Sequence, residues 1–127
     1  MKIFITGNPV PQGRPRFYRR GNHVGVYDPI KSKSWKEVVR EQAVSQGAVI
    51  VEGALRMTLS FHMQRPKSLS KKVIHHTKKP DLDNLIKGIK DALKSVCYHD
   101  DSQIVMLVST KIYSKITPGV DIEIYPV

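Results

Sequence analysis

The sequence predicts a small single domain of the α/β class, more narrowly α+β, in which two main helices pack on a mixed sheet of about four strands. Its 127 residues suffice for one compact domain, so residues 1–127 are taken together. Segments with alternating or β-branched apolar residues predict strands, and two segments with helical apolar spacing lie between them. The resulting order, β–α–β–α–β–β, favours helices packed against a mixed sheet.

The N-terminal third is expected to hold one strand, one irregular segment and one helix. Lys2–Thr6 is the first predicted strand. Residues 7–29 contain four glycines and four prolines, which predicts a largely irregular segment. The first helix is expected to begin near Ser32 or Ser34, because Ser-Trp-Lys-Glu from Ser34 onwards matches a capping box. Gly47 is a natural end for that helix.

The middle of the chain gives the clearest patterns. Leu55–Met63 alternates without interruption, which predicts a strand with one buried face. Residues 64–80 are polar and basic and predict a connection. The second helix is expected to start at or just after Asp81, because Pro80 disfavours helix before it. Its apolar face comprises Leu82, Leu85, Ile86, Ile89, Ala92, Leu93 and Val96.

Two further strands are expected at the C-terminal end. Gln103–Tyr113 is rich in isoleucine and valine, which predicts a central strand of the sheet. Val120–Tyr125 is the final predicted strand, entered through the turn at Thr-Pro-Gly, residues 117–119.

Charge indicates the class of partner. The net charge is +10 and the pI is near 9.9, which favours encounter with polyanions and makes nucleic acid the expected partner. The open alternative is a soluble basic protein, or one bound to the ribosome or a membrane surface. Cys97 is the single cysteine, so neither an intrachain disulfide nor a thiolate zinc cage is expected. Without an apolar leader or a spanning segment, a cytoplasmic location is expected.

Acidic residues are concentrated in one region of this basic chain. Five of the 11 acidic side chains fall within residues 81–101, namely Asp81, Asp83, Asp91, Asp100 and Asp101. Bare carboxylates repel phosphate, but carboxylates that hold divalent cations attract phosphate and direct its chemistry. Hard oxygen ligands without a cysteine partner favour Mg²⁺, with Mn²⁺ as a substitute.

The spacing within this region admits a metal site and also structural roles. Asp81 and Asp83 project from one side while the backbone is extended, and Lys87 lies one helical turn after Asp83. Asp100 and Asp101 precede a strand that could lie beside them. Alternatively, Asp81 caps the helix, Asp83 pairs with Lys87, and the two later aspartates form a turn.

The motifs in this region resemble those of RusA-type Holliday junction resolvases. The similar features are Asp-Leu-Asp-Asn-Leu from Asp81, the lysine at Lys87, Asp-Ala-Leu from Asp91, and an acidic pair before the apolar strand. The resemblance implies a RusA-like fold and a bacterial or phage-encoded homodimer that nicks four-way DNA junctions symmetrically in recombination and repair, using Mg²⁺. It implies that Asp81, Asp83 and Asp101 are metal-binding catalytic carboxylates, that Lys87 is the catalytic lysine, and that Asp100 is an auxiliary metal ligand.

Basic side chains predict the DNA-binding surface. The candidates are Arg14, Arg16, Arg19, Arg20, Lys71, Lys72, Lys78 and Lys79. The arginines surround Phe17 and Tyr18, and these aromatics are equally consistent with base stacking and with packing on the domain edge. Two other functions stay open: a non-catalytic nucleic-acid-binding module, and a metal-dependent nuclease that acts on flaps, single strands or RNA.

Overall fold

Six strands and two α-helices make up the fold of the described residues in a computed structural model of the chain. The structure describes residues 1–13, 16–27 and 29–127, with the backbone alone at 16–18 and 26–27. In chain order the elements are β1 (Lys2–Thr6), β2 (Arg16–Arg20), β3 (His23–Tyr27), α1 (Ile30–Ser45), β4 (Leu55–Met63), α2 (Leu82–Leu93), a 3₁₀ turn (Asp101–Gln103), β5 (Ile104–Tyr113) and β6 (Gly119–Pro126). No helix within these ranges is long and apolar enough to cross a membrane.

Four of the strands form the main sheet, in the order β1-β6-β4-β5. β5 runs parallel to β4, whereas β6 is antiparallel to both β4 and β1, so the sheet is mixed. Alternate residues of β4, from Leu55 to Met63, are buried on one face, and the buried faces of α1 and α2 share that core. The predicted fold class, with a four-stranded mixed sheet and two helices, is confirmed. The exact bounds of β1 and β4 also agree with the prediction.

The prediction of a largely irregular segment over residues 7–29 was wrong. β2 and β3 pair antiparallel in a separate two-stranded sheet, with Arg20 opposite His23 across a two-residue turn. Gly21 lies in that turn with a φ of 56°, a conformation that glycine adopts without a steric penalty. The hairpin therefore carries the arginine-rich stretch on a regular backbone.

The start of α1 also differs from the prediction. The helix begins at Ile30, directly after Pro29, and no side chain caps it. Ser34 lies inside the helix. Ser32 is buried, and its hydroxyl accepts a hydrogen bond from the Gly13 amide and donates one to the Pro11 carbonyl. The expected capping box is therefore absent, and Ser32 instead fastens the strap 8–13 to the helix. The helix ends before Gly47, as predicted.

The position of β5 in the sheet was predicted wrongly. The Ile/Val-rich sequence indicated a central strand, but β5 lies at the edge of the sheet, next to β4 alone among the four strands. Four consecutive apolar side chains of this strand are exposed: Val105, Met106, Leu107 and Val108. β4, flanked by β5 and β6, has its apolar side chains fully enclosed, which is the burial expected of a central strand.

Candidate active site

The first pair of candidate carboxylates lies at the start of α2. Asp81 is the residue before the helix and has an extended backbone, but its side chain makes no capping hydrogen bond. Its Oδ1 instead lies 3.7 Å from Nζ of the exposed Lys79. Asp83 lies in the first turn, where its Oδ1 accepts a hydrogen bond from the Asn84 amide. Both carboxylates therefore lie near the positive end of the helix dipole and are accessible to a cation or its water.

Lys87 and Asp91 form an ion pair one turn further along the helix. Lys87 Nζ lies 3.6 Å from Asp91 Oδ2, so the alternative pairing of Lys87 with Asp83 is not the one observed. The Lys87 side chain is 63% exposed and the Asp91 side chain only 28%, so the lysine head can reach solvent while the carboxylate is largely covered. Asp91 is thus half-buried.

The second acidic pair lies in the 3₁₀ turn before β5. Asp100 accepts hydrogen bonds from the Asp101 amide (3.0 Å) and the Ser102 hydroxyl (2.8 Å). The Ser102 hydrogen bond and the positive charge of Lys94 hold the pKa of the Asp100 carboxyl below its usual value. Gln103 closes the turn, because its side chain accepts hydrogen bonds from the amides of His99 and Asp100. Asp100 is therefore a satisfied, ionised cap.

Asp101 has a different environment from its neighbour. Its Oδ1 is buried and lacks a hydrogen-bond partner among the described residues. Burial, followed by the negative charge of Asp91, raises the pKa of the Asp101 carboxyl. An unpaired buried carboxylate oxygen beside a second carboxylate is unfavourable in the free protein. A divalent cation with hard oxygen preference would supply the missing partner, so these two side chains fit such an ion chemically.

The turn that brings Asp101 towards Asp91 is anchored by Tyr98. This tyrosine is fully buried, and its hydroxyl donates a 2.6 Å hydrogen bond to the Lys90 carbonyl in the last turn of α2. Burial, followed by the negative charge of Asp101, raises the pKa of the Tyr98 phenol, which therefore stays neutral. Within the described part of the chain, no three acidic, histidine or cysteine side chains are gathered as a metal site. Asp91 and Asp101 interact; Asp81, Asp83 and Asp101 are not assembled into one cluster.

The sequence comparisons identify the family. The family model for the endodeoxyribonuclease RusA matches residues 6–125, nearly the whole chain. This chain belongs to the RusA family. It is also 38% identical, over 135 aligned residues, to the uncharacterized protein YqaN of Bacillus subtilis (strain 168), an alignment that covers 98% of this chain and 94% of that protein. The RusA match places the chain among nucleases that cut DNA, and the matched range contains every candidate carboxylate.

A cleft of about 670 Å³ opens beside Asp81 in this RusA-family fold. Its apolar walls come from Pro9, Val10, Pro11 and Met63, and its polar groups include Gln12, His76 and Asn84. The strap 8–13 is held on α2 because the backbone N–H of Gln12 donates a 2.9 Å hydrogen bond to the backbone carbonyl of Asn84. Gln12 Oε1 is buried without a partner in the described residues. The cleft was missed from the sequence, although two prolines between Asn8 and Gly13 indicate an extended strap.

The basic residues divide into described and undescribed groups. Lys71, Lys72 and Lys78 are exposed on the connection, and Arg19 and Arg20 are exposed on β2. Arg65 fixes the connection, because its guanidinium donates to the carbonyls of Ser70 and Val73 and lies over the Tyr113 ring. The lysines of this RusA-family chain thus project from an anchored segment. Arg14 and the side chain of Arg16 lie outside the described residues, and the DNA-binding roles of all eight candidate residues stay predictions.

Proposed function

We propose that this protein is a Mg²⁺-dependent endodeoxyribonuclease that resolves four-way DNA junctions by paired symmetric nicks, acting as a homodimer in the cytoplasm during recombination and repair. Membership of the RusA family supports the nuclease class. The observation that supports the metal dependence is Asp101: a half-buried carboxylate whose Oδ1 is buried without a partner among the described residues, close to Asp91, in a chain of net charge +10. A bound cation would stabilise the charged form of such a group.

Asp81, Asp83 and Asp101, which are not clustered in the described part of the free chain, would come together around the ion, with Asp100 as an auxiliary ligand and Mn²⁺ as a substitute for Mg²⁺. When bound, the ion activates water and stabilises charge on the attacking and leaving oxygens of the phosphodiester. The carboxylates of Asp81 and Asp83 are accessible from the same end of α2, so they can orient the ion towards a DNA backbone. Asp100 is engaged by Ser102 and Lys94, which supports its lesser role.

Lys87 would bind the scissile phosphate. Its ammonium group lies 3.6 Å from Asp91, and because the lysine side chain is 63% exposed it can exchange the carboxylate for a phosphate oxygen. That exchange would place a positive charge next to the phosphoryl oxygens as negative charge develops on them. Lys71, Lys72, Lys78, Lys79 and the arginines of the hairpin would bind the flanking backbone.

A nicking assay on a synthetic four-way junction tests this proposal. The junction, a linear duplex, a flap and a single strand should be compared with Mg²⁺, with Mn²⁺ and with EDTA. The parent should nick the junction faster than the other substrates and only with metal. Asp83→Asn should abolish nicking while junction binding is kept or strengthened, because a negative charge near phosphate is removed.

The matched control is Asp121→Asn. Asp121 is an exposed aspartate of β6 that pairs with His62 at 2.7 Å, away from α2. This variant should nick at the parental rate. If Asp83→Asn nicks as fast as Asp121→Asn, the catalytic assignment fails. If the linear duplex is nicked as fast as the junction, the substrate assignment fails, and preferential cutting of flaps or single strands would replace it.

A further inference from the structure

The outer edge of β5 is covered over only part of its length. At its C-terminal end the His76 amide donates to the Lys111 carbonyl (3.1 Å), and the Tyr113 amide donates to the Ile74 carbonyl (2.9 Å). In a strand, the N–H and C=O of one residue point to one edge and those of the next residue point to the other. Because Lys111 and Tyr113 point outwards, Leu107 and Ser109 also do. Neither has a backbone partner on that side among the described residues.

The uncovered part of the edge is apolar and lacks charge. Val105, Met106, Leu107 and Val108 are between 40% and 58% exposed, and no residue from Ile104 to Thr110 is charged. Edge strands of soluble proteins are usually protected by charged side chains, bulges or covering segments, since free edges recruit other strands. A bulge lies at the start of the β4–β5 pairing, and residues 74–76 cover the end of β5. The apolar stretch of β5 between these two points has neither protection.

We propose that this edge is the surface where two copies of the chain pair, with β5 antiparallel to β5 of the second copy and Leu107 opposite the partner's Leu107. In this register each Leu107 exchanges two backbone hydrogen bonds with its counterpart, and Met106 lies opposite the partner's Val108. A register centred closer to Lys111 would drive the partner strand into the covering segment at 74–76. The centred register uses the free edge and avoids that collision.

A second copy fits this edge better than an unrelated strand. Antiparallel pairing of a strand with itself is closed by a two-fold axis, so the same apolar residues are buried on both sides. Two chains of charge +10 repel each other, and the uncharged stretch Ile104–Thr110 adds nothing to that repulsion. The choice also rests on the proposed function, because cutting two strands requires two sites.

The pairing would fix the spacing of the two sites. The turn that contains Asp101 leads directly into β5, so each copy presents its turn at one end of the shared strand pair. Ile104 and the partner's Ile104 are six residues apart along the antiparallel pair, which corresponds to about 20 Å. The two acidic turns would therefore lie at opposite ends of a rigid, hydrogen-bonded ribbon.

Disulfide trapping tests the register directly. In a hydrogen-bonded antiparallel pair the opposed Cα atoms lie about 5.5 Å apart, within the range that a disulfide spans. Leu107→Cys should therefore form a cross-linked dimer under mild oxidation, so that most of the protein has twice the monomer mass on a non-reducing gel. The parent should not cross-link, because Cys97 is fully buried and burial raises the pKa of its thiol to about 11.

Ile116→Cys is the matched control. Ile116 is 95% exposed in the turn between β5 and β6, so this variant shows how much cross-linking random collision gives. A mixture of Met106→Cys and Val108→Cys should cross-link better than either variant alone, because only the mixture brings two cysteines opposite each other. If Leu107→Cys cross-links no more than Ile116→Cys, the pairing proposal is overturned.

Sedimentation of the unlinked protein supplies a second readout. The parent should sediment as a dimer, and Leu107→Lys should sediment as a monomer with an unchanged far-UV spectrum, whereas Ile116→Lys should stay dimeric. A parent that is monomeric at every concentration, or a dimer that survives Leu107→Lys, contradicts the proposal. The nicking assay is independent of these results: a trapped dimer without junction nicking refutes the proposed activity alone, and junction nicking without the trap refutes this interface alone.

Discussion

The Tyr98 hydroxyl provides a quantitative test of how the acidic turn is held against α2. Tyr98→Phe removes a 2.6 Å hydrogen bond to the Lys90 carbonyl and leaves the aromatic ring in place. Lys90 lies in the last turn of α2, where carbonyl groups lack partners within the helix. The substitution should therefore lower stability without removing any apolar contact.

The magnitude follows from the burial of this tyrosine. Tyr98 has no exposed surface, so water does not readily replace the lost donor. A buried acceptor left without a partner costs about 1–3 kcal/mol, and we expect the free energy of unfolding to fall by about 2 kcal/mol. For a domain of this size, that change lowers Tm by roughly 8 °C.

Urea unfolding, followed through the fluorescence of the single, buried Trp35, measures the change. Tyr125→Phe is the control, because Tyr125 is half-buried on β6 and its hydroxyl makes no hydrogen bond to the described part of the chain. The control should change stability by less than about 0.5 kcal/mol. Equal effects of the two substitutions would refute the anchoring role of Tyr98.

Three further predictions concern charge. Asp101→Asn should raise Tm in EDTA at neutral pH and abolish nicking. The pKa of Asp101 is raised in the fold, so the protonated carboxyl contributes stability below the ordinary carboxyl pKa, and this stability is lost as the pH rises through the raised pKa. The asparagine substitution should therefore raise Tm less in acid than at neutral pH. An equal rise in Tm at all pH values contradicts this. Lys87→Gln should abolish nicking yet change the unfolding free energy by less than about 1 kcal/mol, since the Lys87 side chain is mostly exposed to solvent; a large loss of stability would make Lys87 structural. Replacing Lys71 and Lys72 with glutamine should weaken junction binding and lower the slope of log K against log salt by roughly 0.9 for each lost phosphate contact, measured by fluorescence anisotropy, whereas an unchanged slope would place them away from DNA.

Several parts of the fold were predictable because local pattern and burial coincide there. β4 alternates and one of its faces is buried, and the apolar stripe of α2 packs into the core. The sequence did not predict the β2–β3 hairpin because the glycines and prolines of residues 7–29 indicate irregular structure. The two-residue turn Gly21-Asn22, between residues with strand propensity, was the signal that could have found it.

Other parts required the tertiary structure. Asp91 has the sequence position of a surface charge, and only the return of the chain through Tyr98 places Asp101 near it. The apolar content of β5 indicated a central strand, although the strand lies at the edge of this chain's sheet. Apolar content reports burial, and burial includes whatever covers the strand in an assembly, which the pattern of one chain does not specify.

The hydrogen bonds from β5 to the basic connection separate the geometry of the aspartates from the shape of the DNA-facing surface. Lys111 Nζ donates to the carbonyls of Lys78 and Pro80 at 2.7 Å, while the other end of the same strand starts at the turn of Asp101. β5 thus contacts both the segment before Asp81 and Asp83 and the turn that contains Asp101, and so sets the position of both groups of aspartates. Substitution of the exposed Lys71 and Lys72 can therefore alter the path offered to DNA without changing the distance between those aspartates.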